Sequence, residues 1–163
     1  MWDTPDFTVG ETIVHPAHGV GRIERIGPED VAGEQIGVIQ IAMEERALRV
    51  KVPVQKSEVI GLRRLSSPAD LAEACQVVRQ KPRASRGTWA RRAADYHSKI
   101  NSGRPQLVAE VVRDLRRGGV RASFSERQIF ERAVERLSGE IAASQGMERA
   151  DARSRLLDVP LAA

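Results

Sequence analysis

The chain has 163 residues and a formal net charge of +4, with 41% hydrophobic and 29% charged residues. This length predicts one domain or two small ones, and the composition is that of a globular protein with a modest core. No stretch approaches the roughly 20 apolar residues of a membrane span, and the N-terminus MWDTPDFTVG lacks the basic-then-apolar order of a signal peptide.

The first part of the chain predicts short antiparallel strands separated by turns. Segments rich in Val and Ile cover residues 12–15, 20–26, 35–42 and 47–52. Turn-forming residues separate them, as Pro-Ala-His-Gly (16–19), Gly-Pro-Glu-Asp (27–30) and Met-Glu-Glu-Arg (43–46). Short strands joined by tight turns predict a small, strongly bent antiparallel barrel or sheet.

The last of these strands has a pattern of its own. Apolar and basic residues alternate from Leu48 to Pro53, so Arg49 and Lys51 should point outward together while the apolar face is buried. Pro53 has no backbone N–H to donate, which predicts that the strand ends or lies at a sheet edge there. An edge with free backbone groups can pair with a strand of another protein.

Near residue 65 the period changes from two to between three and four, which predicts a second, helical part. Five helices are expected there, and the first four have a start or stop signal. They are a helix from Ser67-Pro68 to about residue 80, one capped by Thr88 and ending at 101–103, one from Pro105 to Gly118-Gly119, a long one from the capping box 125–128 to about residue 144, and a weak one over 149–157.

The two parts differ in charge. Residues 1–64 hold 8 basic and 10 acidic residues, whereas residues 65–163 hold 18 and 12. Eight basic residues and a single acidic one, Asp95, fall between Arg79 and Arg104. A positive segment of this kind attracts polyanions, nucleic acid above all, although a solvated helix face would carry the same charges.

Trp89 lies inside this basic segment of a chain with only six aromatic residues. On a helix that starts after Thr88 it would share one apolar stripe with Ala93, Tyr96 and Ile100, which favours a place in the core. A ring in the first helical turn can equally project past the helix end. It would then act as a wedge in a minor groove or stack on an unpaired base, with Arg86, Arg91 and Arg92 on phosphates. Spacing alone leaves both alternatives open.

The residues of the chain form no recognisable catalytic constellation. His15 and His18 stand three apart without a third ligand, so no metal site is predicted, and no cofactor motif is present. The single Cys75 lies in an apolar helix, which favours burial over reactivity; one cysteine excludes an internal disulfide and suits a cytoplasmic location. Two aromatic residues near the N-terminus are too few for a methyl-lysine cage. The chain is therefore not expected to be an enzyme.

Several segments, in order, resemble the CarD/CdnL family of bacterial transcription regulators over residues 7 to about 141. They are Val9-Gly10-Glu11, His15-Pro16-Ala17-His18-Gly19-Val20-Gly21, Val50-Lys51-Val52-Pro53-Val54, Gly61-Leu62-Arg63, Trp89-Ala90-Arg91-Arg92, Lys99-Ile100-Asn101-Ser102-Gly103 and 109–115.

The resemblance implies an α+β protein with two domains. A Tudor-like, SH3-like β-barrel at 1–64 would bind the RNA polymerase β subunit, and a compact all-α domain of about five helices at 65–163 would bind DNA. Trp89 would be the wedge in the minor groove at the upstream edge of the melted promoter bubble. The DNA backbone would be held by the basic residues Arg86, Arg91, Arg92 and Lys99. Polymerase would be contacted by residues of the edge strand, Arg49, Lys51, Val52 and Pro53.

The expected function is that of a non-catalytic regulator that stabilises the open promoter complex, with little sequence preference in its DNA contacts. We expect a cytoplasmic, nucleoid-associated monomer with no membrane partner and no cofactor. An alternative from another class is an interaction adaptor whose basic helices bind RNA or acidic partners. Retention on RNA polymerase would distinguish the two.

Overall fold

The computed structural model describes residues 6–83, 86–116 and 122–158, and the chain divides into two compact units, Met1–Leu65 and Ser66–Ala163. The first unit is a five-stranded antiparallel sheet in the order β4-β3-β2-β1-β5. Its strands are β1 (Thr12–His15), β2 (Gly19–Val31), β3 (Glu34–Met43), β4 (Arg49–Pro53) and β5 (Arg63–Arg64). A 3-10 turn (Val54–Lys56) and the short helix α1 (Ser57–Ile60) follow β4.

The core of the first unit consists of the inward-facing residues of these strands, as the two-residue period predicts. The most buried of them are Ile13, Ile23, Ile39, Ile41 and Val52, all at most 2% exposed. Burying one such side chain contributes about 1.5–3 kcal/mol. The strands also approach closely at Gly21, where a Cβ atom would lie 2.6 Å from a side-chain carbon of Ile41. Only glycine fits this position without displacing its neighbours.

The predicted turn at residues 27–30 is wrong, because β2 continues through it to Val31. Pro28 pairs in register with Gly37 of β3. β1 pairs with β2 only over residues 19–22, so β3 is the one described strand beside the far part of β2. On its other side this part of β2 needs no backbone N–H for strand pairing, and a proline is tolerated there. The chain instead reverses at Ala32 and Gly33, whose φ angles of 52° and 85° are those of a two-residue hairpin turn.

The described part of the second unit contains five helices, which confirms the predicted α+β class with a helical second part. They are α2 (Pro68–Arg79), α3 (Trp89–Ile100), α4 (Pro105–Leu115), α5 (Phe124–Gln145) and α6 (Arg149–Leu157). Ser67 and Thr88 cap α2 and α3 as predicted, since their hydroxyl oxygens accept from the N–H groups of Asp70 and Arg91. The predicted stop of α4 at Gly118-Gly119 lies outside the described residues.

The start of α5 differs from the prediction by two residues. The cap is Ser123, whose hydroxyl accepts from the backbone N–H of Glu126 at 3.2 Å, and not Ser125. Both serines have an acidic or amide residue three positions later. The Ser123 alternative places the carboxylate of Glu126 at N3, the acidic position of a capping box, whereas Ser125 would place the neutral Gln128 there.

The helices of this unit share one core, and their side-chain contacts fix how they run. Gln106 contacts Glu73 at 3.5 Å and Arg113 contacts Gln80 at 3.4 Å. Both partners advance by seven residues, so α2 and α4 are parallel. Buried residues of all five helices line the core: Leu71, Val78, Tyr96, Ile100, Val111, Val112, Val134, Leu137, Ala152 and Leu156 among them. None of the described helices has the length and apolar character needed to cross a membrane.

Candidate functional site

The basic segment folds so that its arginines surround the first turn of α3. Gly87 precedes the turn with φ of 112°, a value that disfavours side chains, and Thr88 caps the helix. Arg86 and Arg91 are exposed on either side of this turn. Four of the predicted DNA contacts, Trp89 and the arginines at 86, 91 and 92, are therefore brought to one helix start.

The structure places Trp89 between the two alternatives left open by its sequence pattern. Its ring packs against the helical core, yet the residue is only partly buried. The Arg92 guanidinium carbon lies over the ring, 5.6 Å from its centroid, a cation–π contact. Nε of Arg92 is buried and has no hydrogen-bond partner among the described residues. The ring thus contributes to the core and also stays partly exposed at the helix start, with the partly buried Arg92 over it.

A buried ion pair at the end of α4 holds the segment that leads to α3. Arg113 and Asp114 have side chains only 3% and 8% exposed, and Nε of Arg113 lies 2.7 Å from Oδ1 of Asp114. The same oxygen accepts the backbone N–H of Arg83 at 2.9 Å. Sequence reasoning missed this pair, because adjacent opposite charges near a helix end are ordinary on a solvated surface.

Lys99 is not part of this cluster. It lies ten residues after Trp89 on α3, which corresponds to about 15 Å along the helix axis. Its ammonium group lies 3.5 Å from Asp95 and 3.6 Å from Glu110, both acidic residues of the same unit. Proximity in sequence to the basic segment made Lys99 a candidate; the length of the helix separates it from the other four.

The predicted polymerase contacts lie on β4, which is an edge strand of the described sheet and pairs with β3 alone. Arg49 and Lys51 point outward, as their alternation predicted. Val52 is 2% exposed, so its side chain belongs to the core and only its backbone can reach a partner. Pro53 ends the strand and is partly buried.

The exposed cations of β4 are paired across the sheet with carboxylates of β2. Nε of Arg49 lies 3.0 Å from Oε2 of Glu24, and Nζ of Lys51 lies 2.7 Å from Oε1 of Glu29. Hydrogen bonds from Gln40 and then Arg49 hold the pKa of Glu24 below its usual value. This face of the sheet therefore carries positive and negative side chains, and not only the basic residues that the sequence of β4 suggested.

The remaining sequence candidates are the two histidines at the turn after β1 and Cys75. The rings of His15 and His18 lie 4.7 Å apart, and Nδ1 of His15 accepts the N–H of Ala17 at 3.0 Å, a contact that shapes the turn. Within the described ranges no group of three potential metal ligands is present. Cys75 is partly buried, and burial raises the pKa of its thiol while Arg79 opposes this to a smaller extent.

Comparison with known proteins gives matches to both units. Residues 7–66 match the CarD-like/TRCF RID domain, an RNA polymerase-interacting domain, and residues 73–157 match the family model "CarD, C-terminal domain". The chain is 27% identical over 150 residues to the "Putative transcription factor YdeB" of Bacillus subtilis (strain 168), which covers 91% of this chain and 98% of that protein.

A solved structure is also similar to the first unit. It is the solution NMR structure of the 72-residue N-terminal domain of Myxococcus xanthus CarD, with 31% identity over 39% of this chain and 89% of that one, at a TM-score of 0.31. The two domain models occur in the order that the resemblance implied, and the C-terminal model alone spans more than half of the chain. The chain therefore belongs to the CarD family of transcription regulators.

Proposed function

We propose that this regulator binds the RNA polymerase β subunit through residues 1–64 and stabilises the open promoter complex through residues 65–163. The helical domain would contact the minor groove at the upstream edge of the melted bubble. The observation that carries the proposal is Trp89, a partly exposed ring in the first turn of α3 with Arg92 over its face and the exposed Arg86 and Arg91 near it in the chain. Action on promoter DNA would place the protein at the nucleoid.

The exposed edge of β4 supports the polymerase contact. An edge strand offers backbone N–H and C=O groups to a strand of a partner, and main-chain pairing of this kind supplies affinity. Arg49 and Lys51 flank that edge, more than half exposed at 70% and 53%, and each can exchange its carboxylate partner for one on polymerase. Exposed ion pairs contribute about 0–1 kcal/mol, so this exchange costs little.

The first turn of α3 supports the DNA contact. Proteins that enter a minor groove insert an apolar wedge at a base step and hold the flanking phosphates with basic residues. Here Trp89 is the wedge, and Arg86 and Arg91 are exposed for the phosphates. The tether to polymerase raises the effective concentration of this domain at the promoter, so its own affinity for DNA can be weak.

The direct test is the lifetime of a preformed open complex on matched RNA polymerase, challenged with competitor, with and without the protein. We expect a longer lifetime with the wild type, and loss of the effect with Trp89→Ala although polymerase binding is retained. Trp89→Phe keeps an apolar ring on the core and serves as the fold-preserving variant. A folded Trp89→Ala protein that still prolongs the lifetime would contradict the wedge.

The phosphate contacts are tested by salt dependence. Each phosphate contact lowers the slope of log affinity against log salt by about 0.9, so Arg91→Gln should make the slope shallower by about that amount. Arg153→Gln is the matched control, since it removes the same charge from an arginine that is paired with Glu131 between α6 and α5. Equal slopes for the two variants would argue against Arg91 on a phosphate.

The polymerase contact needs a variant that separates binding from folding. Lys51→Glu should weaken retention on polymerase, but it also places the new carboxylate next to that of Glu29. The charge-swapped double variant Lys51→Glu, Glu29→Lys restores the internal pair. If Lys51 itself contacts polymerase, the double variant is stable yet still binds weakly; full recovery of binding would show that the pair acts only through the fold.

A further inference from the structure

The side-chain contacts of the helical unit define one end that has several helix termini. Because α2 and α4 are parallel, both end there, and the N–H of Arg83 reaches Asp114 at the same place. The connection from α3 to α4 is only residues 101–104, a length that favours an antiparallel helix pair, which places the start of α3 at this end. We call this end, where α2 and α4 end and α3 begins, the basic end face.

The first turn of α5 also lies at the basic end face. Arg149 reaches the carbonyl of Glu135 and Arg153 reaches the carboxylate of Glu131, so α6 runs antiparallel to α5 in steps of four residues. The next step brings Leu157 level with the first turn of α5. Arg116, directly after α4, donates to the carbonyl oxygen of Leu157. The end of α4 and the start of α5 are therefore neighbours.

Phe124 is the first residue of α5 and is 67% exposed. It is the one large hydrophobic residue so exposed among the described residues of the helical unit. It therefore stands at the basic end face in the same first-turn position that Trp89 has on α3, after a capping hydroxyl in both cases. Phe124 is not among the buried or partly buried residues that form the described core of the unit, so core packing does not account for a ring in this position.

The charges around Phe124 indicate what covers it. Among the described residues of the helix ends and connections at this face, six exposed residues are basic, whereas the acidic ones are Asp114, engaged with Arg113, the partly buried Glu126, and Asp158. A positive surface with an exposed ring is complementary to nucleic acid, whose phosphates take the cations and whose bases stack on the ring. The basic residues are Arg79, Lys81, Arg83, Arg86, Arg91 and Arg127.

We propose that Phe124 is a second aromatic DNA contact, which stacks on an unpaired base next to the step that Trp89 holds open. This rests on the proposed function, since it assumes that the basic end face meets DNA at the edge of a bubble. Stacking tolerates any base, because every base has a π-face. The second ring would favour opened over fully paired DNA without adding sequence preference.

The test is fluorescence anisotropy of the full chain at low salt with two labelled duplexes of the same sequence, one fully paired and one with a short mismatched bubble. Phe124→Ala should weaken binding to the bubble duplex by about five-fold or more, the low end for one stacked ring, and change binding to the paired duplex less. Phe124→Trp should restore affinity and Phe124→Leu should not. Val59→Ala, which removes an 89% exposed side chain from the first unit, is the control and should change nothing.

The outcomes separate this inference from the proposed function. If Trp89→Ala weakens DNA binding and Phe124→Ala does not, the second contact is refuted and the wedge stands. If only Phe124→Ala weakens it, the contact stands and the wedge fails. Wild-type chain that binds neither duplex overturns the inference, and so does a Phe124→Ala variant that loses only its retention on polymerase, which would assign the ring to a protein contact.

Discussion

The buried pair Arg113–Asp114 predicts a large and specific effect for removal of one carboxylate. Asp114 accepts Nε of Arg113 at 2.7 Å, Nη2 of Arg113 at 3.2 Å and the N–H of Arg83 at 2.9 Å. We expect Asp114→Ala to destabilise the helical unit and also to release the segment before α3. Asp114→Asn should have a smaller effect, because one oxygen acceptor remains.

The magnitude follows from burial. Arg113 is 3% exposed, so loss of its carboxylate leaves a guanidinium in the interior, which costs about 3–5 kcal/mol. The asparagine variant loses the charge but not every acceptor, and hydrogen bonds to charged groups are worth about 1.5–3 kcal/mol. Since a domain of this kind is stable by about 5–15 kcal/mol, the alanine variant would be marginal and the asparagine variant would remain folded.

Urea unfolding followed by far-ultraviolet circular dichroism measures this effect, because that signal comes mainly from helices α2 to α6. Asp95→Ala is the matched control: it is the same substitution at a carboxylate 56% exposed beside Lys99, and should cost less than about 1 kcal/mol. Equal free energies of unfolding for the Asp95 and Asp114 alanine variants would refute the buried pair. The folded asparagine variant should also bind DNA more weakly than wild type, since its Arg83 anchor is weaker.

Three further effects follow from local geometry. Thr88→Ala should cost about 1 kcal/mol of helical stability through the lost cap, and Thr88→Ser should restore it in the same urea titration. Gly21→Ala should destabilise the sheet by about 1–3 kcal/mol, because its Cβ would lie 2.6 Å from a side-chain carbon of β3; an unchanged melting temperature would contradict the close approach. Hydrogen bonds from Thr8 and then Arg64 lower the pKa of Glu11 from its usual 4.5, so its contribution is complete above that pH and is lost as the pH falls through the lowered value. Acid unfolding of Glu11→Gln should therefore depend less on pH in this range than that of the wild type.

The helices could be predicted well because their signals are local. Ser67-Pro68 and Thr88 begin helices by capping groups within three residues, and the structure retains both. The two-residue error at α5 arose where two serines offered the same spacing, and the helix begins at the earlier one, which has Glu126 three residues later. A local capping signal was sufficient to predict the start of a helix wherever the sequence offered only one candidate residue.

The strands were predicted less well because pairing is not local. Considered in sequence alone, Pro28 predicts a turn. A proline is accepted in the far half of β2 because β1 does not extend far enough to pair with it there. The outward direction of Arg49 and Lys51 followed from alternation, but their carboxylate partners lie two strands away and no sequence window contains both.

The site was only partly visible in the sequence for the same reason. Trp89 and its arginines are adjacent in the chain, so their composition drew attention to them. Lys99 was adjacent as well, but a helix carries it away from the cluster. The contact between Arg83 and Asp114 spans 31 residues and leaves no local signal, although it holds the segment that precedes the tryptophan.

The parallel arrangement of α2 and α4 has a consequence for how this domain tolerates changes in chain length. Two parallel helices cannot be joined by a tight turn, so the chain between them must travel back along the bundle, and α3 makes that return. The connection at 101–104 is short and sets the packing of α3 on α4, whereas the connection between α2 and α3 spans residues 80–88 and is anchored at Arg83. Insertions or deletions after that anchor would move Arg86 relative to Trp89, whereas Arg91 and Arg92 lie on α3 with the tryptophan and would keep their positions. The place of one exposed arginine ahead of Trp89 is therefore set by this connection, whereas the places of the other two are set by the helix.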